Sequence, residues 1–157
     1  MKFEITVIVF AFLVVSANAF AQEQDKFGLG LIVGEPTGLS LKYWLDEKHA
    51  VDGALAWALS ENDSFQLHSD YLIHNYELFD SDVLPAYYGV GALLMFKDNE
   101  GIRHHDETVF GIRIPLGITY LFEDAPLDLF FELVPVIEVA PDVDLDINVA
   151  VGIRFYF

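Results

Sequence analysis

Phe110, Ile112, Ile114, Leu116, Ile118 and Tyr120 take every second position of one stretch, with Gly, Arg, Pro, Gly and Thr between them. The same beat returns at Ile147, Val149, Val151, Ile153, Phe155 and Phe157, alternating with Asn148, Ala150, Gly152, Arg154 and Tyr156. Successive side chains of a strand point to opposite faces, so period two predicts strands with two unlike faces. A soluble sheet buries its bulky face under a second layer. A membrane barrel shows that face to lipid and turns the polar one inward. Here the bulky face is wholly apolar and the other carries Arg, Asn and Gly, which is the membrane arrangement.

Turn signals cut the chain into eight such segments, at about 26–34, 39–45, 51–59, 65–76, 88–96, 110–120, 128–138 and 147–157. Segments of this number and length match the smallest closed membrane barrels. The expected fold is therefore all-β: a closed, antiparallel, up-and-down, eight-stranded transmembrane β-barrel. Pro115 and Pro135 fall inside strands, where a missing N–H breaks the ladder, and are expected to mark bulges. Glycines on the inner face (Gly28, Gly30, Gly34, Gly89, Gly91, Gly111, Gly117, Gly152) are expected to make room for larger inward side chains of neighbouring strands. With both chain ends on the periplasmic side, connections 35–38, 60–64, 97–108 and 140–145 face outside. Those at 46–49, 78–84 and 122–126 face the periplasm, which puts the longest connection outside, as barrels of this kind require.

The first residues form a secretory signal peptide: a positive start at Lys2, an apolar run over 5–15, and small-x-small cleavage sites at Ala17-Asn18-Ala19 and Ala19-Phe20-Ala21. That run is too short to span a bilayer as a helix, which needs roughly 20 residues. Cleavage is expected after Ala21 (or Ala19), leaving 22–157 as a single barrel domain. Mean hydropathy is positive, +0.37, with 54% hydrophobic residues spread over short segments rather than gathered in a helix-length run. A dyad pattern produces that distribution. Cysteine is absent, which excludes a disulfide framework and a lipoprotein anchor. A net charge of −17 excludes nucleic acid as an electrostatic partner.

Inward parity collects Lys42, Asp52, His68, Asp70, His74, Arg113, Glu132, Glu138 and Arg154. Asp70 and Glu132 invite a reading as paired carboxylates for acid–base catalysis. An eight-stranded lumen, however, is just wide enough to be filled by side chains, and charge buried there must be paired. The nine residues are expected to form an internal salt-bridge network, with no catalytic site. His104-His105-Asp106-Glu107 combines imidazole and carboxylate, but adjacent side chains of an extended segment point apart and no ligand spacing completes a metal site. Asp142, Asp144 and Asp146 resemble the start of a calcium loop without its glycine and distal Glu. No metal and no cofactor is expected.

With signal peptide, eight strands and a terminal Phe, the chain resembles the small eight-stranded outer-membrane barrels of Gram-negative bacteria, of the OmpX and OmpA membrane-domain type. Gly34-Glu35-Pro36-Thr37-Gly38-Leu39-Ser40-Leu41-Lys42-Tyr43-Trp44 is similar to a segment of a little-characterised family of short outer-membrane barrels. So are Arg113-Ile114-Pro115-Leu116-Gly117, Tyr120-Leu121-Phe122, Pro126-Leu127-Asp128 and the ending Gly152-Ile153-Arg154-Phe155-Tyr156-Phe157. Gly152, Phe155 and Phe157 also resemble the signal read by the outer-membrane assembly machinery, with Ala150 where a polar residue is usual. The resemblance implies residence in the bacterial outer membrane and partners limited to membrane lipid, lipopolysaccharide and that machinery, the protein being a monomer. It transfers no activity. The expected role is non-enzymatic, in envelope structure or surface interaction through the loops. A narrow pore for small solutes is the alternative. A soluble lipocalin-like carrier needs the reverse facing, and a lipid A-modifying enzyme needs a Ser, His and acid cluster that the rim lacks.

Overall fold

The structure, a computed structural model, describes residues 26–58, 64–97 and 107–157. The signal peptide and His104, His105 and Asp106 lie outside those residues. Nine antiparallel strands are described: β1 (Phe27–Gly34), β2 (Gly38–Trp44), β3 (His49–Ala58), β4 (Ser64–Asn75), β5 (Ala86–Lys97), β6 (Glu107–Arg113), β7 (Leu116–Leu121), β8 (Leu127–Ala140) and β9 (Asp144–Tyr156). β1 to β5 pair in chain order, β8 pairs with β9 and β9 with β1, and β6 and β7, unpaired with each other, share both their neighbours, β5 and β8. The ring is closed and has eight positions.

The sixth segment expected from alternation is thus two strands. Arg113 faces Gly91 and Val136, and three residues later Leu116 faces Tyr88 and Leu133, so the register runs through the break unchanged. Pro115 causes the interruption because it has no N–H to return to Gly89, whose own N–H donates to the Pro115 carbonyl at 3.0 Å. Opposite, the Ile114 N–H donates to the Pro135 carbonyl at 3.0 Å, and Pro135 has nothing to give back. Neither proline makes a bulge. The one register shift in this seam lies at Phe110/Gly111, against Val139.

Followed through β2 to β6, the row of Gly30 arrives at Glu138 on β8; followed through β9, it arrives at Asp128. The stagger is ten residues (138 minus 128), and a stagger of this kind tilts the strands of a closed barrel by roughly 35–45°. Gly34 closes β1 with φ 129, a backbone that favours glycine, and Thr37 ties the following turn by accepting from the Gly34 N–H and donating to its carbonyl.

Most outward positions are apolar and exposed or half-buried, Val151 at 47% and Ile153 at 44% among them, with Ser69 and Thr108 as polar exceptions. Aromatic side chains gather at the two ends of this band. Phe27 and Phe157 meet edge to face at 5.3 Å beside the chain termini, and Trp57, Phe65 and Phe96 form a run at the opposite end with centroids 5.7 and 6.4 Å apart. The interior falls into two parts. Leu93, Val134 and Val136, with Met95, pack an apolar plug toward one end, and the polar side chains fill the remainder together with a second apolar cluster of Ile32, Ala54, Leu72, Tyr87, Phe130 and Ala150.

Candidate functional site: the ion-pair network of the lumen

Alternation places Lys42 on β2, Asp52 on β3, His68, Asp70 and His74 on β4, Arg113 on β6, Glu132 on β8 and Arg154 on β9 inside the barrel. All are buried, Arg113 completely. They form two linked clusters. In the first, the Arg113 Nε–H donates to both Asp70 oxygens at 3.0 and 3.1 Å. Arg113 Nη2 stands 3.7 Å from Glu132 Oε1, near enough for Coulomb attraction and too far for a hydrogen bond. Asp70 is therefore the primary partner of Arg113, and Glu132 the secondary one. Glu132 instead accepts the Tyr87 hydroxyl at 3.0 Å, and His68 Nε2 lies 3.9 Å from Asp70.

The second cluster is built on Arg154. Its Nη2 donates to Asp52 at 3.1 Å, its Nε to the Ser40 hydroxyl at 2.9 Å and its Nη1 reaches Asp128 at 3.5 Å, while the guanidinium lies 3.8 Å over the Phe130 ring. Asp128 also accepts the Tyr156 hydroxyl at 2.5 Å and stands 4.0 Å from Lys42 Nζ. Lys42 donates to His74 Nε2 at 2.9 Å and sits 4.2 Å over Trp44. His74 Nδ1 faces the Lys48 carbonyl at 3.1 Å. A carbonyl only accepts, so Nδ1 carries the proton and Nε2 is left to accept from Lys42.

Glycines make these contacts possible. Asp70, Gly91 and Arg113 lie in one row across three strands, as do Tyr87, Gly117 and Glu132, and Ser40, Gly30 and Arg154. The outer pair of each row is separated by two strand spacings, roughly 10 Å, which two long side chains can span only if the strand between them has none. A methyl group on Gly91 would occupy the place of the Asp70 carboxylate; one on Gly117 would occupy that of the Tyr87 ring. Gly152 is required in the same way by the Phe130 ring.

Glu138 is a correction. It stands apart from the central network at the far end of β8, where Lys97 Nζ lies 3.9 Å away. The register sets it opposite Gly111, beside the shift at Phe110, and sets Val136 opposite Arg113, which parity does not reveal. Asp128, Tyr87, Tyr156 and Ser40 are the members that charge-and-parity reasoning left out of the network. Asp128 has inward parity, and Tyr87 and Tyr156 join through hydroxyls that face Glu132 and Asp128.

Outside the strands, the turn between β2 and β3 is held by Asp46, which accepts the backbone N–H groups of Lys48 and His49 at 2.8 and 2.9 Å and the His49 ring. Those bonds, the Lys48 N–H first, keep its carboxyl below the usual carboxylate range. Burial, followed by the nearby charges of Glu47 and Asp82, raises the Tyr76 phenol. Cavities lie at both ends of the barrel. One of about 840 Å³ is bounded by Trp44, Asp46, Tyr76, Phe122 and Tyr156, and one of about 450 Å³ by Glu35, Gln66, Asp146 and Asn148. Between them stand the network and the apolar plug. Among the described residues no three His, Cys, Asp or Glu side chains converge as a metal site.

The barrel is similar to the N-terminal β-barrel domain of Pseudomonas aeruginosa OprF, with a TM-score of 0.71 at 14% identity over 87% of this chain and 100% of that one. It is also similar to Neisserial surface protein A, with a TM-score of 0.50 at 15% identity over 84% and 94% of the two chains. At these identities the likeness is one of fold, a small closed barrel. No functionally curated protein matches the sequence. The family profile described as "Protein of unknown function (DUF3996)" matches residues 19–157, and the chain belongs to that family.

Proposed function

We propose that this protein is a non-conducting integral barrel of the bacterial outer membrane, serving envelope structure or surface interaction through its loop end and not catalysis. One observation carries the reading. Lys42, Arg113 and Arg154, each at 2% exposure or less, reach across the middle of the lumen, the two arginines hydrogen-bonded to Asp70 and Asp52 and Lys42 to His74, which supports a lumen filled by side chains rather than an open aqueous path. The exposed apolar band with aromatic ends supports membrane insertion, because water would not tolerate so large a surface. The name of the similar Neisseria protein, which calls it a surface protein, is consistent with an outer location. Membrane lipid and lipopolysaccharide are the expected surroundings, for a monomer.

Gly152, Phe155 and Phe157 are proposed to serve the assembly machinery. In the folded barrel Phe155 and Phe157 lie on the outer face, and Gly152 accommodates Phe130. The cavities at the two ends favour a second reading, a narrow pore that opens when the network parts. Planar-bilayer recording separates the two: the proposal expects no unitary conductance from the refolded protein, and steady, concentration-dependent channels would replace it with the pore. Retention in the outer-membrane fraction after salt and carbonate washes tests location.

A further inference from the structure

The register leaves one side of upper β9 open. β1 ends at Gly34, opposite Ala150, and the chain then turns through Pro36 into β2, while β8 stays paired with β9 as far as Glu138 opposite Asp144. In an antiparallel strand, alternate residues point their N–H and C=O groups to alternate neighbours. The Val149 carbonyl accepts the Glu35 N–H on the β1 side, and the Tyr156 N–H donates to the Pro126 carbonyl on the β8 side. Leu145 and Ile147 keep step with Val149, so their backbone groups face the β1 side, where among the described residues no strand continues. Their side chains are 66% and 55% exposed and prolong the apolar outer face. An apolar strand with a free edge is a template for a further strand.

The donors of that edge are already engaged. The Leu145 N–H donates to Asp144 Oδ1 and the Ile147 N–H to Asp146 Oδ1, each at 2.8 Å. An N–H bound in this way has nothing to give to the carbonyl of an incoming strand, and a carboxylate, which only accepts, cannot replace it as a donor. We infer that Asp144 and Asp146 are edge guards, closing the free side of β9 against a strand from a second copy of this chain. Two of the three aspartates spaced like the start of a calcium loop thus serve the backbone. The inference deepens the reading of the protein as a single barrel, and it stands on hydrogen bonds and not on net charge.

Light scattering of the mature protein refolded in detergent micelles, over a concentration series, tests it with two double variants. Asp144→Ala with Asp146→Ala removes both caps and should associate about tenfold or more tightly than the wild type, the net contribution of one or two backbone bonds. Asp144→Asn with Asp146→Asn keeps an accepting oxygen without the charge and should stay monomeric like the wild type. Amide exchange at Leu145 and Ile147, measured where every form is dilute and monomeric, should quicken about tenfold in the alanine variant alone. The guards are refuted if the alanine variant stays as monomeric as the wild type, if the asparagine variant associates as strongly as the alanine one, or if exchange at the two amides is unchanged. A wild-type dimer that Leu145→Cys cross-links also refutes them, whereas one joined elsewhere overturns the monomer reading and not this one. The heat-shifted gel band of a closed barrel reports folding separately from association, and Asp146→Ala alone decides if the double alanine variant fails to fold.

Discussion

Among the described residues, replacing Arg113 by Leu removes the only cation within hydrogen-bond distance of Asp70. Arg113 is completely buried and Asp70 is 2% exposed, so water does not take over the lost bonds. Glu132 loses its nearest guanidinium at the same time, though Tyr87 continues to donate to it. Breaking a buried pair by removing one member typically costs about 3–5 kcal/mol, because the other charge stays buried and uncompensated. The neighbouring residue Ile114 is 40% exposed on the outer face, where Ile114→Leu exchanges one apolar shape for another and should cost less than about 0.5 kcal/mol. Unfolding by urea from lipid vesicles, followed by the fluorescence of Trp44 and Trp57, should show a sharp drop in midpoint for R113L and almost none for I114L, with similar slopes. The double variant Arg113→Leu with Asp70→Leu should recover much of the loss, since apolar replacement of a whole buried pair is often neutral. Equal midpoints for R113L and I114L, or a double variant weaker than R113L, would refute a polar inner face paired in this way.

Gly91→Ala should destabilise about as much as R113L, because its methyl group displaces the Asp70 carboxylate, and combining the two should cost well below their sum in the same urea assay. Gly117→Ala should push Tyr87 from Glu132 and cost roughly 1–3 kcal/mol, read likewise, the price of an unsatisfied buried group. Pro115→Ala supplies the N–H that Gly89 lacks and should raise stability by about 1 kcal/mol, with slowed amide exchange at position 115. Single cysteines at Ile112, Val149 or Val151 should react slowly with polar thiol reagents in vesicles, while one at Val143, 81% exposed in the turn before β9, should react fast; equal rates would contradict the facing.

Alternation was enough to read the barrel from the chain, because period two puts a side chain on a known face before any strand has found its neighbour. Facing and the inward positions of Lys42, Asp52, Asp70, Arg113, Glu132 and Arg154 follow from parity, and the eight ring positions from parity with the turn signals. Partnership does not. Arg113 meets Asp70, forty-three residues away in sequence, because the register sets both beside Gly91, and register is fixed by the closure of the whole ring. The same closure, with its ten-residue stagger, brings Arg154 to Ser40 and Asp52 and carries Glu138 out to the rim. Pro115 was visible as a ladder break, yet only its neighbours on β5 and β8 decided that the strand would lose two bonds without losing register. The glycines had been legible as spaces; which two side chains would meet across each one depended on three strands at once.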